Sequence, residues 1–381
     1  MSDLCAAPIG ELATFVNGAA FKPDDWGNEG QRIIRIQNLT DPVKPFNRSR
    51  RELPPALQVK PGDILVSWSA SLGVFEWQGP DIGLLNQHIF RVLPDERRVE
   101  KRYLRHGLEL ALQEMSRHLH GATMKHVNRG EFLSTKIYVP PLPEQRRIAA
   151  ILDQADALRA KRRRALAQLD ALTQSIFTEM FGDPRTILAK WPTRRLGEFL
   201  EFLTSGSRGW ASHYAESGDL FLRIQNVRHD QLLLDDIAYV SAPDTAEAKR
   251  TRVKPGDVLM SITADLGRTA VVPEDIGTAY INQHLSILRT KELVPRYLSA
   301  YLASPMGQRQ VSGRNRHAVK AGLNFDDIRA LLVPAPPAPL QCSFDSEVDA
   351  VERLKSLHGA SLEKLDALFA ALQHRAFRGE L

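Results

Sequence analysis

The chain is poor in cysteine: only Cys5 and Cys342 occur in 381 residues. They sit at unrelated places in the sequence, which argues against a disulfide scaffold or a cysteine-built zinc site. Long apolar runs are missing as well. Nowhere do 18 apolar residues follow one another, and the first ten residues lack the basic stretch and apolar run of an export signal. The expectation is a cytoplasmic chain that neither spans a membrane nor leaves the cell. An excess of one charge is also lacking: 50 Lys and Arg stand against 45 Asp and Glu, a formal charge of +5. That balance permits a polyanionic partner without requiring one. The 43% apolar composition is that of a chain with packed cores and excludes a disordered protein.

Motifs for catalysis are lacking too. The sequence contains no Walker A run, no Gly-x-Gly-x-x-Gly following a strand and no His-Glu-x-x-His, so phosphate cradling, dinucleotide binding and metalloprotease chemistry are unsupported. The Asn or Asp-Pro-Pro-Tyr or Phe run of base-modifying methyltransferases is absent, which argues against autonomous methylation. The expectation is a chain that is not an enzyme.

What the chain has is a duplication. Arg35-Ile-Gln-Asn38 returns as Arg223-Ile-Gln-Asn226, Lys60-Pro-Gly-Asp63 as Lys254-Pro-Gly-Asp257, and Asn86-Gln-His88 as Asn282-Gln-His284. The offsets are 188, 194 and 196 residues, in one order. Weaker matches extend the pattern: Ile9-Gly-Glu-Leu12 with Leu196-Gly-Glu198, Tyr103-Leu104 with Tyr297-Leu298, and Leu169-Asp-Ala-Leu172 with Leu365-Asp-Ala-Leu368. Such a period is far beyond that of solenoid repeats, so the unit is a whole domain of about 140 residues followed by a helix.

The first module reads as short strands over 32–36, 64–67, 75–77 and 88–92, then a helix over 99–116 and a polar glycine loop over 120–125. The second repeats the order, with strands over 220–224, 258–262 and 284–288, a helix over 294–303 and a loop over 312–320. Mixed short strands with few helices predict an α+β fold with two similar globular modules. From residue 144 to 180 the apolar positions fall three and four apart with no proline or glycine, which predicts a helix on the order of 50 Å. A second helix is predicted over 344–377, with Gly359 softening its middle. Neither module can cover these stripes along their length, so the two helices are expected to pair antiparallel as a coiled-coil spacer through Leu152, Leu166, Leu169, Leu172 and Ile176 against Val351, Leu354, Leu365, Leu368 and Leu372. The predicted division is modules at 1–142 and 183–338, with spacer helices at 143–182 and 339–381.

Gly62 with Asp63 and Gly256 with Asp257 belong to turns, and their repetition is explained by turn geometry rather than by a metal. His88 and His284 start apolar strands without a duplicated nucleophile nearby, so structural hydrogen bonding is the expected role. Gln37-Asn38 and Gln225-Asn226 are shared by both modules and suit a structural role or a common backbone contact better than reading different bases. Trp68, Trp77 and Trp210 are candidates for stacking on a displaced base, but two of the three lie in strand-like runs, where core packing is the default. Between the shared cores the modules diverge: 41–54 has little in common with 228–250. Similar frames with dissimilar loops are what two recognition modules with different targets require. Arginine forks and their neighbours suit base edges and phosphates. The candidates are Arg48, Arg50, Arg51, Lys125 and His126 in the first module, and Arg208, Arg228, Arg314, Arg316, His317 and Lys320 in the second. The run Lys161-Arg-Arg-Arg164 is open between a DNA contact and a solvated helix face.

These motifs, in this order and over almost the whole chain, resemble the specificity subunit of type I restriction-modification systems, as a full-length subunit with two target-recognition domains. The resemblance implies a non-catalytic chain that reads a bipartite, gapped target in double-stranded DNA. It further implies two methyltransferase subunits, which bring S-adenosylmethionine and adenine-N6 methylation, and restriction subunits, which bring ATP, Mg2+ and cleavage; no cofactor is expected on this chain. Glu144 and Gln145 and the leucines above would form the spacer and docking surface. One departure is expected: the second proline run, 334–339, lacks the Glu144-Gln145 pair, so its helix begins later or docks differently. The competing reading is a free-standing double-module DNA-binding scaffold without methyltransferase partners. A DNA mimic fits poorly, because mimicry needs an acidic surface.

Overall fold

The runs Ile64–Ser67 and Val258–Ser261 are buried at every residue, and each becomes an inner strand with side chains sent alternately to two layers. Ile64 and Val66 join Tyr103, Leu104 and Leu108 in one core, while Leu65 joins Ile34, Leu85 and Trp77 in another. Val258 and Met260 pack with Tyr297 and Leu298, and Leu259 with Leu222 and Ile281. The computed structural model describes residues 6–41, 43–118, 128–314 and 322–381. It divides into unit 1, residues up to Arg163 together with Ala360–Leu381, and unit 2, Arg164–Gly359.

In unit 1 an antiparallel sheet runs in the order Ala13–Asn17, Ile89–Pro94, Ile64–Ser67, Gly73–Glu76. A second sheet pairs Gln31–Ile34 in parallel with Gly83–Leu85. Unit 2 repeats both: Leu200–Ser205, Leu285–Thr290, Val258–Ser261, Thr269–Val271, and a parallel pair of Asp219–Leu222 with Ala279–Ile281. Among the described residues five helices reach nine residues: α1 (Lys101–His118), α2 (Leu142–Phe181), α3 (Pro295–Ala303), α4 (Pro305–Arg314) and α5 (Ala338–Ala376). Buried tyrosines pin α1 and α3 at equivalent points: Tyr103 Oη donates to Tyr138 O at 2.6 Å, and Tyr297 Oη to Pro334 O at 2.9 Å.

Three expectations are corrected. The first strand stops at Ile34, and Ile36–Thr40 forms a helical turn. The cause is Asn38, whose Oδ1 accepts from Arg35 N while its Nδ2 donates to the carbonyls of Lys44 and Pro45. Asn226 does the same for Arg223 N, Leu233 O and Asp236 O. Second, residues 312–314 of the loop expected over 312–320 belong to α4, which includes Arg314, and the rest of that loop lies outside the described residues. Third, α5 begins at Ala338, ahead of the expected start, and runs unbroken past Gly359. Gln341 is the reason. Its Oε1 accepts from Val294 N at 2.9 Å and its Nε2 donates to Pro336 O at 2.8 Å. Gln145 likewise accepts from Glu100 N at 2.8 Å and donates to Arg98 O and Pro140 O. The expected loss of the Glu-Gln pair is therefore half a loss: the glutamine is kept and only Glu144 is replaced, by Leu340.

The long helices α2 and α5 pack together. In unit 1, Arg159 Nε meets Asp366 Oδ1 at 2.6 Å; in unit 2, Lys355 Nζ meets Asp170 Oδ1 at 2.8 Å. As one helix advances the other recedes, so they are antiparallel. Leu152 and Val351 are buried, and Leu166, Leu169, Ile176, Leu365 and Leu372 are half-buried. Leu172, Leu354 and Leu368 leave the expected seam: they are 39%, 46% and 49% exposed. Three- and four-residue spacing draws a stripe wider than two helices can cover, and these leucines are its outer edge.

Candidate nucleic-acid interface

The Lys-Pro-Gly-Asp turns are built by backbone geometry. Gly62 and Gly256 lie at φ 88° and 80°, the left-handed region glycine enters without a Cβ penalty. Asp63 Oδ2 accepts from Lys60 N at 2.6 Å and from Arg91 Nε at 2.7 Å. Asp257, buried, accepts from Lys254 N and from both Nε and Nη2 of Arg289, each at 2.7 Å. Each carboxylate is thus engaged by a turn amide and a guanidinium. Arg91 and Arg289 escaped the sequence reading because they stand at different distances from Asn-Gln-His.

Around that frame, each unit packs a glycine-bearing loop against its Asn-Gln-His turn. In unit 1, Gln87 N donates to Ala19 O at 2.7 Å, and a Cβ on Gly18 would lie 2.0 Å from Asn86 O. In unit 2, Ser207 bridges Asn282, and a Cβ on Gly206 would lie 2.1 Å from Asn282 O. Gly18 and Gly206 therefore let one loop pass directly against the Asn-Gln-His turn. The sequence held the signal, since they are 188 residues apart like the Arg-Ile-Gln-Asn cores. Hairpin turns lie alongside, with Ala70 and Ala264 at φ 58° and 59°. In unit 2, Ile262 N donates to His284 O and Leu323 N to Ile262 O, both at 2.9 Å, and Thr263 bridges Gly322. Gly322 and Leu323 thus lie beside Asn-Gln-His.

The two histidines differ. His284 Nδ1 lies 2.5 Å from Thr263 Oγ1, and its Nε2 lies 3.1 Å from Gln283 Nε2. His88, at φ 70°, stands edge-on to Trp68 with centroids 5.0 Å apart. Its Nδ1 is shut off from solvent without a hydrogen-bond partner among the described residues. Both ring nitrogens of His284 thus have polar neighbours, whereas His88 packs its ring against Trp68 and leaves Nδ1 unpaired among the described residues. Trp77 and Trp210 are buried at 5% exposure each, in the core.

The candidate DNA contacts fall into three groups. Arg48, Arg50 and Arg51 are tied down inside unit 1. Arg48 donates to Gly30 O at 2.8 Å, Arg50 pairs with Glu29, and Arg51 donates to Ala20 O at 2.9 Å while its guanidinium lies over Phe21. Arg314 is similarly held, donating to Ala330 O at 2.6 Å. Arg208, in the Gly206 loop, and Arg228 are exposed, and their side chains have no partner among the described residues. Lys125, His126, Arg316, His317 and Lys320 lie outside the described residues. Glu144 is half-buried, and the side chain of Arg147 beside it holds its carboxyl below the ordinary value. Among the described residues no three His, Cys, Asp or Glu side chains are grouped to hold a metal ion, and no helix is long and apolar enough to cross a membrane.

Comparison with known proteins matches this architecture. Residues 2–169 fit the family model of the type I restriction modification DNA specificity domain. The chain is 24% identical to the type I restriction enzyme EcoBI specificity subunit of Escherichia coli, over 97% of this chain and 84% of that protein. It is 22% identical to the MjaVIII specificity subunit of Methanocaldococcus jannaschii, over 85% and 80%. Two solved structures share the fold. One, from work on complex assembly and conformational transition of the type I R-M system, has a TM-score of 0.56 at 20% identity, covering 99% of this chain and 98% of that one. The other, a type I restriction-modification S subunit from M. genitalium, has a TM-score of 0.55 at 15% identity, covering 99% and 97%. With its duplicated sheets and paired long helices, the chain is thus similar over most of its length to type I restriction-modification specificity subunits, and residues 2–169 match the model of their DNA specificity domain.

Proposed function

We propose that this non-catalytic chain reads a bipartite, gapped target in double-stranded DNA and brings two methyltransferase subunits, and the restriction subunits of the full complex, to it. Residues 1–142 and 183–338 each read one half of the target, and the helices within 143–182 and 339–381 set the gap between the halves. S-adenosylmethionine, ATP and Mg2+ belong to the partners, and the complex acts in the cytoplasm. The observation that carries this reading is the repeated loop cluster, in which Gly18 and Gly206 pack against Asn86 and Asn282 in the same way while the intervening segments differ in sequence. One frame that presents two unlike loops suits two unlike half-sites. Single-molecule sequencing of adenine methylation tests it, comparing cells that carry this gene and its methyltransferase with cells lacking this chain alone. Loss of a two-part motif on deletion is expected; unchanged methylation with both proteins expressed rejects the reading.

A further inference from the structure

In both units the Arg-Ile-Gln-Asn repeat reaches out of the shared frame into the segment where the modules diverge. It follows a strand of the parallel pair, Gln31–Ile34 or Asp219–Leu222, whose end is tied to the Asn-Gln-His turn: Asn86 N donates to Ile34 O at 3.2 Å, and Asn282 N to Leu222 O at 3.1 Å. Asn38 and Asn226 are buried at 6% and 1% exposure, and each closes its turn by accepting from the arginine amide three residues back. The Nδ2 groups bond elsewhere. That of Asn38 donates to Lys44 O and Pro45 O, both at 3.2 Å, and that of Asn226 to Leu233 O and Asp236 O, both at 3.0 Å.

The arginine adds a second hold. Arg35 Nη1 donates to Asn47 Oδ1 at 3.1 Å, and Arg223 Nη2 to Asp236 O at 3.2 Å, where Gln225 Nε2 also meets Asp236 Oδ2 at 2.8 Å. The chain closed off in this way differs between the units: the asparagine reaches seven residues ahead in unit 1 and ten in unit 2. Its side chains differ as well, with Val43 and Lys44 exposed in one and Arg228, His229 and Leu234 in the other. The longer loop has a further anchor in Asp230, at φ 57°, whose carboxyl lies among Ser299, Arg296 and Lys355, where burial pushes it up to about 7.

Two properties of this clasp go beyond holding a turn. The Oδ1 bond alone caps the turn, so the Nδ2 bonds fix only the path of the divergent chain. All four of their acceptors are main-chain carbonyls, which every residue carries, so one amide can grip loops of any sequence and of two lengths. We propose that Asn38 and Asn226 are positioning residues for target reading: each holds its module's divergent loop in place, so that the loop can change its side chains, and with them the half-site, while the frame stays as it is. This rests on the functional reading above.

Asn38→Asp and Asn226→Asp separate the two roles. Aspartate keeps the oxygen that accepts from Arg35 N or Arg223 N and sets a second oxygen, with no hydrogen to give, against the loop carbonyls. In cells carrying the full chain and its methyltransferase, methylome sequencing with Asn38→Asp should show about fivefold more methylation at sites mismatched in one half of the motif, the other half staying as strict as before. Asn226→Asp should relax the opposite half. Fewer methylated sites with both halves equally strict, the outcome of a merely structural role, overturns the clasp, as does relaxation of both halves by one substitution. Where an aspartate variant abolishes methylation, Asn47→Ala or Asp236→Ala decides, since each alters only the loop end of its clasp. Relaxation of that one half supports the clasp, and an unchanged motif overturns it. Absence of a two-part motif with the unaltered chain overturns the functional reading itself and the clasp with it.

Discussion

Asp230 is the residue whose ionisation the fold alters most usefully. In the unfolded chain its carboxyl titrates near the ordinary 3.8, and in the folded chain at about 7. Between those values the folded chain keeps a proton that the unfolded chain has released, so stability falls as pH rises across that window and is level above it. Asp230→Asn should flatten that part of the profile, read from unfolding midpoints across the window; parallel profiles would show that the carboxyl is not shielded. The arginines divide in the same local terms. Arg208 is exposed without a partner, whereas Arg50 pairs with Glu29 across an exposed surface. Arg208→Ala should lower DNA affinity of the assembled complex and reduce the slope of log affinity against log salt by about one, with Arg50→Ala having the smaller effect. Equal effects from both would mean that the Glu29 pairing does not hold Arg50 back.

At the scale of elements, the helix starts are governed by one amide each. Gln145 and Gln341 are buried and join the first turn of α2 or α5 to the chain entering α1 or α3. Gln145→Leu keeps the volume and removes the bonds, leaving Glu100 N–H and the Pro140 carbonyl unpaired. It should cost about 1–3 kcal/mol in urea unfolding, and Gln341→Leu a comparable amount. A neutral result would mean that water replaces the amide. Length is the other property of these helices. Removing one turn from α2 with the matching turn of α5 shortens each by about 5 Å, close to the rise of one to two base pairs. The methylated motif should keep both halves and lose that much gap; an unchanged gap would reject the spacer as ruler.

For the whole molecule, the duplication is the property that matters. Replacing residues 1–142 with the corresponding module of a relative should change one half of the methylated motif and leave the other as it was. Changes in both halves on methylome sequencing would exclude independent reading. The repeat, the two left-handed glycine turns and the long helices were legible from the residues, because backbone dihedrals and helical period are local properties written in neighbouring positions. The partner of each polar side chain was not. Asp63 finds Arg91 across 28 residues, Asp257 finds Arg289 across 32, and Gln145 finds Glu100 across 45. For the same reason the partners of Arg48, Arg50 and Arg51 within their own unit were not legible, and His88 and His284 share a motif and not an environment. Sequence alone determined that this protein is one frame used twice, since each copy must satisfy the same local geometry. Tertiary structure alone decided which arginines are paired within their own unit, since that depends on what distant segments bring into contact.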